Sequence, residues 1–75
     1  METKLNFLAM AIQEIMNRMQ RIDHLIKMKA TGSPEELAVK LSVSKRQIYR
    51  YLEMIKSQGK EIHYEPLRRS YTYKE

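Results

Sequence analysis

The side chains best equipped for chemistry fall in two short runs. Ser44, Lys45, Arg46 and Gln47, followed by Tyr49 and Arg50, bring hydroxyl, amide and cationic groups together within two turns of a helical pattern. Arg68 and Arg69 form a second cationic pair. These are donors suited to a polyanion: guanidinium and ammonium groups carry fixed charge, and hydroxyl and amide groups add directional hydrogen bonds. Catalysis has no comparable footing. His24 and His63 are distant in sequence, and no carboxylate stands at metal-ligand spacing around either. No arrangement suggests a nucleophile elbow or paired carboxylates in a pocket. The histidines read as satisfied or surface residues, and neither a catalytic residue, a metal site nor a cofactor is expected. The chain reads as a non-enzyme.

Composition narrows the setting. The 75 residues permit one small domain whose core is marginal alone. Fourteen basic residues against nine acidic ones give a net charge of +5, spread along the chain without a basic tail. A polyanion-binding surface must therefore come from placement on a fold. An apolar content of 43% argues against disorder. With no cysteine, disulfides and thiolate-bound zinc are excluded, which suits a reducing compartment. No apolar run approaches a membrane span and the N-terminus lacks a signal-peptide pattern, so a cytoplasmic protein with no membrane partner is expected.

The elements that must position these groups are legible from period and punctuation. Leu5, Leu8, Ile12, Ile15, Met19, Ile22 and Ile26 alternate spacings of three and four, predicting a helix over roughly Lys4 to Lys29 with a coiled-coil type seam. Lys27 and Lys29 suit its last turn, and Gly32 lies just past its end. Ser33, Pro34 and Glu36 form a capping box with proline in the first turn, starting a short second helix that ends near Ser42. Ser44 and Gln47 make another capping box, and Ile48, Leu52 and Ile55 are the buried stripe of a third helix ending at Gly59. At ~100° per residue, Arg46 and Arg50 fall nearly opposite Ile48. Ile62 and Tyr64, then Tyr71 and Tyr73, alternate with polar residues around Pro66-Leu67-Arg68-Arg69-Ser70, predicting a β-hairpin with a basic tip that must lean on the helices. The fold class is mainly α with a small β-hairpin.

Helix, corner, helix and hairpin resemble the winged helix-turn-helix family, above all the N-terminal domains of biotin-operon-type and DeoR-type bacterial regulators. The residues that carry the likeness are Glu36-Leu37-Ala38, Leu41, Val43-Ser44, Lys45-Arg46, Ile48-Tyr49-Arg50, Leu52, Gly59, Ile62 and the Tyr71/Tyr73 strand, from about Arg18 to Tyr73. The resemblance implies double-stranded DNA as partner. The third helix would enter the major groove, with Ser44, Lys45, Arg46, Gln47 and Arg50 toward base edges and Ser44 or Tyr49 able to reach phosphate. Arginine and glutamine can pair bidentately with guanine and adenine. The hairpin tip would bring Arg68 and Arg69 to the backbone or the neighbouring minor groove. Two positions depart from the pattern. The corner usually carries glycine where this chain has Ser42; a left-handed serine would cost on the order of 1 kcal/mol, which predicts a more open corner. Tyr51 stands where the relatives often carry an acidic residue and is expected to pack against the hairpin.

The first helix divides in two. Met19, Ile22, Leu25 and Ile26 fit the core of a domain over residues 18–75, whereas Leu5, Leu8, Ile12, Ile15 and Met16 overshoot it in an extension over residues 1–17. So many exposed large apolar residues imply a partner, and an identical subunit is the economical one. The function expected is that of a sequence-specific transcriptional regulator acting as a homodimer. No effector domain follows the hairpin, so no small-molecule ligand is expected. The alternative is a protein-interaction or assembly module that uses the apolar N-terminal helix.

Overall fold

Two local motifs set the register of the short helices. Ser33 and Ser44 hold extended backbone, accept from the amides of Glu36 and Gln47 at 3.1 Å, and receive the reciprocal side-chain contacts that complete each capping box. The computed structural model describes residues 2–75; Met1, the first residue of the predicted extension, lies outside them. In chain order the elements are α1 (Glu2–Lys27), α2 (Pro34–Leu41), α3 (Lys45–Lys56), β1 (Ile62–Glu65) and β2 (Ser70–Tyr73). Among the described residues no helix is long and apolar enough to cross a membrane.

Three helix ends differ from the sequence expectation. Lys29, not Gly32, ends α1: it is left-handed (φ 55°), and the amides of Lys29 and Ala30 donate to Ile26 and Leu25 carbonyls at 3.0 and 2.9 Å. The helix proper stops at Lys27, so Lys29 lies beyond the last turn. Ser42 likewise adopts the left-handed conformation (φ 56°), so the corner is tight rather than open. Its amide donates to Val39 at 3.1 Å and that of Val43 to Ala38 at 3.0 Å. This paired pattern satisfies the orphan carbonyls of α2 and turns Val43 toward the core. α3 ends at Lys56, with residues 57–59 forming a turn in place of a further helical turn.

Packing follows the apolar stripes. Ile22 and Ile26 of α1, Leu37, Ala38 and Leu41 of α2, and Ile48, Tyr51, Leu52 and Ile55 of α3 are buried together, with Met19, Leu25, Val43, Ile62, Tyr71 and Tyr73 packed against them. Ala38 sits among them on the α2 face that meets α3, where a small side chain lets the helices approach. Tyr51 is buried, but its hydroxyl accepts from Arg18 Nη1 of α1 at 3.3 Å rather than turning to the hairpin.

The hairpin is antiparallel, pairing Ile62 with Tyr73 and Glu65 with Ser70, so Ser70 belongs to β2 rather than to the turn. Two contacts fasten it to α1 and to the loop after it. Thr31 and Ser70 are fully buried with their hydroxyl oxygens 3.1 Å apart, and the Tyr71 amide donates to Thr31 Oγ1 at 2.8 Å. At the other end of β2 the Tyr73 hydroxyl donates to Asp23, which also meets Lys60 at 3.2 Å and Lys27 at 3.1 Å.

Residues 4–16 of α1 project from the domain, with only Ile12, Ile15 and Met16 flanking the end of α3. Leu5, Phe7, Leu8, Met10 and Ile12 expose 55–73% of their surface, and the molecule measures 51 × 26 × 19 Å as a result. Beside this stretch a shallow apolar cleft between α1 and the end of α3 is lined by Ile12, Ile15, Met16, Met19 and Met54.

These contacts make two predictions about stability. Ser42→Gly relieves a left-handed serine and is expected to raise stability by about 0.5 kcal/mol, the ~1 kcal/mol of strain less roughly half of that for the extra entropy of glycine in the unfolded chain; a lower thermal midpoint would contradict this. Asp23 is the second case. Burial raises its pKa, but the Tyr73 hydroxyl and the Lys27 and Lys60 ammonium groups outweigh it and hold the carboxyl at about 2. A folded value below the ordinary 3.8 means that this stabilisation is present above 3.8 and is lost as pH falls toward about 2. Asp23→Asn should lower stability at neutral pH and flatten the acid limb of the stability curve between those values.

Candidate nucleic-acid interface

The capping boxes that start α2 and α3 also decide which of the predicted contact residues remain available. Ser44 Oγ accepts from the Gln47 amide, and Gln47 Oε1 accepts from the Ser44 amide at 3.1 Å. Both side chains are exposed but already engaged with the helix start. Lys45 pairs with Glu35 of α2 at 3.1 Å, and its hydrogen bond to that carboxylate raises its pKa. Arg46 and Arg50, one turn apart on α3, are exposed and make no hydrogen bond or ion pair among the described residues. They lie on the face away from buried Ile48, as helical spacing requires.

Tyr49 is about half exposed and neighbours the hairpin. Burial, then Tyr49, Tyr64 and Glu35 around it, push the Tyr71 hydroxyl up to about 12. Tyr71 in turn packs edge-on against Tyr64 across the hairpin, with ring centroids 5.1 Å apart. The tyrosines thus form a patch joining α3 to the sheet.

At the hairpin tip, Arg68 Nε pairs with Glu65 Oε2 of its own hairpin at 2.9 Å. Arg69 Nη2 instead crosses to Glu36 Oε1 of α2 at 2.7 Å. Adjacent carboxylates in the first turn of α2 therefore reach in two directions: Glu35 to the start of α3, and Glu36 to the tip of the hairpin. This bridge brings Lys45 and Arg69, 24 positions apart in sequence, to neighbouring places around α2. Sequence reasoning selects both cations but misses the two glutamates that hold them. The nearest signal is the acidic pair at the helix start, which on sequence grounds has only a capping role.

Nothing among the described residues gathers three or more histidine, cysteine or carboxylate groups into a candidate metal site. His24 is exposed, while His63 Nε2 lies 3.0 Å from Thr72 Oγ1 and 3.3 Å from Glu65 Oε1. The five apolar residues predicted for dimerisation, Leu5, Leu8, Ile12, Ile15 and Met16, are all solvent-exposed in the single chain. In comparisons with known proteins, no family model, no curated protein and no solved structure matches the chain.

Proposed function

We propose that this chain is a winged helix-turn-helix protein that binds double-stranded DNA sequence-specifically, as a cytoplasmic, non-enzymatic bacterial transcriptional regulator working as a homodimer. The observation that carries the reading is the pair Arg46 and Arg50. Two guanidinium groups stand one turn apart on the outer face of a short helix, without partners among the described residues, beside a hairpin whose tip carries Arg68. An α-helix fits the major groove, and arginine there can pair bidentately with guanine O6 and N7.

In this reading α2 and α3 are the helix-turn-helix, held by the tight Ser42 corner, and β1 and β2 are the wing. Arg46 and Arg50 read base edges, and Gln47 reads an adenine if it leaves its capping role. Lys45, Ser44 and Tyr49 meet the phosphates flanking the groove. Arg68 exchanges Glu65 for phosphate, a low-cost exchange because an exposed ion pair contributes little. The binding constant should fall steeply with salt, since each neutralised phosphate releases counterions.

Dimerisation accounts for the exposed first half of α1. Leu5, Leu8, Ile12 and Ile15 continue the seam whose later members, Ile22 and Ile26, the domain itself covers. A second chain would remove that stripe from water and place two recognition helices on a two-fold DNA site. The same exposure favours one other reading, an assembly module whose apolar helix binds a different protein while the basic helix is merely solvated.

Two measurements separate these readings. Binding to duplexes selected from a random pool should yield a two-fold symmetric site, and Arg46→Ala and Arg50→Ala should each lose about 1–3 kcal/mol of discrimination at one base position. Negligible affinity at low salt would refute DNA binding. Sedimentation of the full chain should give twice the 9.0 kDa mass, and Ile12→Glu should return it to the monomer. A monomeric unsubstituted chain would refute the homodimer and favour the assembly reading.

A further inference from the structure

Glu36 is fixed on three sides. Its Oε1 accepts from the Ser33 amide at 3.0 Å while its own amide donates to Ser33 Oγ at 3.1 Å, so the carboxylate is anchored by the cap of α2. Gly32, at φ +72°, leaves room for it: a Cβ there would stand 3.0 Å from Glu36 Cβ and 3.3 Å from Oε1. The third side is Arg69, whose Nη2 lies 2.7 Å from the same oxygen. Arg69 closes a four-residue turn in the left-handed conformation (φ 51°), with its amide donating to the Pro66 carbonyl at 3.1 Å. A residue in that conformation, ion-paired to a pre-anchored carboxylate, fixes the direction of the whole tip. The root of the hairpin is held separately by Thr31 and Ser70.

We infer that Glu36 and Arg69 form a strut that positions the hairpin tip for DNA, so that Arg68 is the tip's phosphate contact and Arg69 is a positioning residue. The inference rests on the DNA-binding reading above. Its physical basis is preorganisation: a hairpin tip already ordered in the free protein loses less conformational entropy on binding than a mobile one. The Ser33 groups and the Arg69 charge also hold the Glu36 carboxyl below the ordinary carboxylate range, as contacts that favour its charged form should.

The test uses the full chain with Arg69→Ala, Arg68→Ala and Glu36→Gln, the last keeping an acceptor for the Ser33 amide while removing the charge. Backbone ¹⁵N relaxation of the free proteins should show residues 66–69 becoming more mobile in Arg69→Ala and Glu36→Gln. On a random-sequence duplex over a salt series, both variants should bind roughly two- to fivefold more weakly, the range of an exposed ion pair, with the salt slope of the unsubstituted chain. The Arg69→Ala, Glu36→Gln double variant should be no weaker than either single one. Arg68→Ala should reduce the slope by about 0.9, one phosphate contact. The strut is overturned if Arg69→Ala reduces the slope in the same way, if Glu36→Gln leaves binding unchanged or tightens it, or if the tip is no more mobile in either variant. Failure of the unsubstituted chain to bind any duplex would remove the DNA reading together with this inference, whereas a lowered slope in Arg69→Ala would remove this inference alone.

Discussion

The arrangement of the basic groups depends on a pair of buried hydroxyls. A two-stranded hairpin of four-residue strands is not stable by itself in water, so its position must be imposed from outside. Thr31 and Ser70 impose it. Both are fully buried, and a buried hydroxyl without a partner would cost about 1–3 kcal/mol. Here the Thr31 amide donates to Ser70 Oγ at 3.0 Å and the Tyr71 amide donates to Thr31 Oγ1 at 2.8 Å, so sheet and loop satisfy each other. No buried side-chain polar atom among the described residues lacks a partner. Lys40 reinforces the loop from α2, donating to the Ala30 and Thr31 carbonyls at 2.9 and 3.2 Å. Displace Thr31 and the hairpin loses its register against the helices, and the tip arginines lose their relation to α3.

Above that buried lock sits a layer of exposed ion pairs with a different role. Individually such pairs contribute little to stability. Their placement matters more, because Glu35 and Glu36 use one helical turn to contact both the start of α3 and the hairpin tip. Two carboxylates among these cations also weaken the positive field that the proposed DNA contact would use. Under the proposed reading the chain would trade some attraction for phosphate against a fixed geometry, with Arg46 and Arg50 outside the exchange. For a protein that discriminates sequences this is the favourable division, since base-edge contacts specify while phosphate contacts position.

Legibility in the sequence depends on how far apart the partners lie. Both capping boxes span three residues, and both are readable from Ser33/Glu36 and Ser44/Gln47 alone. The apolar stripe of α3 and the alternation of the hairpin are readable because their periods are local. Glu36 and Arg69 are 33 residues apart, and only the docked hairpin brings them together. The left-handed residues escape for another reason. Intrinsic preference favours glycine at a helix end, which points to Gly32 and away from a left-handed Ser42. Lys29 and Ser42 are nevertheless held left-handed by backbone bonds to the preceding turn and by the packing of the next segment. Tertiary context overrides propensity at both corners. Tyr51 illustrates the same limit, since its burial can be anticipated from the sequence while the choice of Arg18 as partner cannot.

The seam of α1 shows one sequence pattern serving two environments. Its spacing does not change between Leu5 and Ile26, yet Ile22 and Ile26 are buried and Leu5, Leu8 and Ile12 expose more than half their surface. The change runs from Arg18, which still reaches Tyr51 of α3, to Ile12, which with Ile15 and Met16 only flanks the end of α3. Nearer the N-terminus the helix makes no hydrogen bond or ion pair to another element among the described residues, and an unsupported helix that short is marginal in water. A partner that covered residues 4–16 would add helical stability there, so that its association would be coupled to the ordering of this stretch. If that partner were a second copy, and the chain binds DNA as proposed, the same event that orders the helix would also set the separation of the two recognition helices, and the apolar half of α1 would become part of how the site is measured.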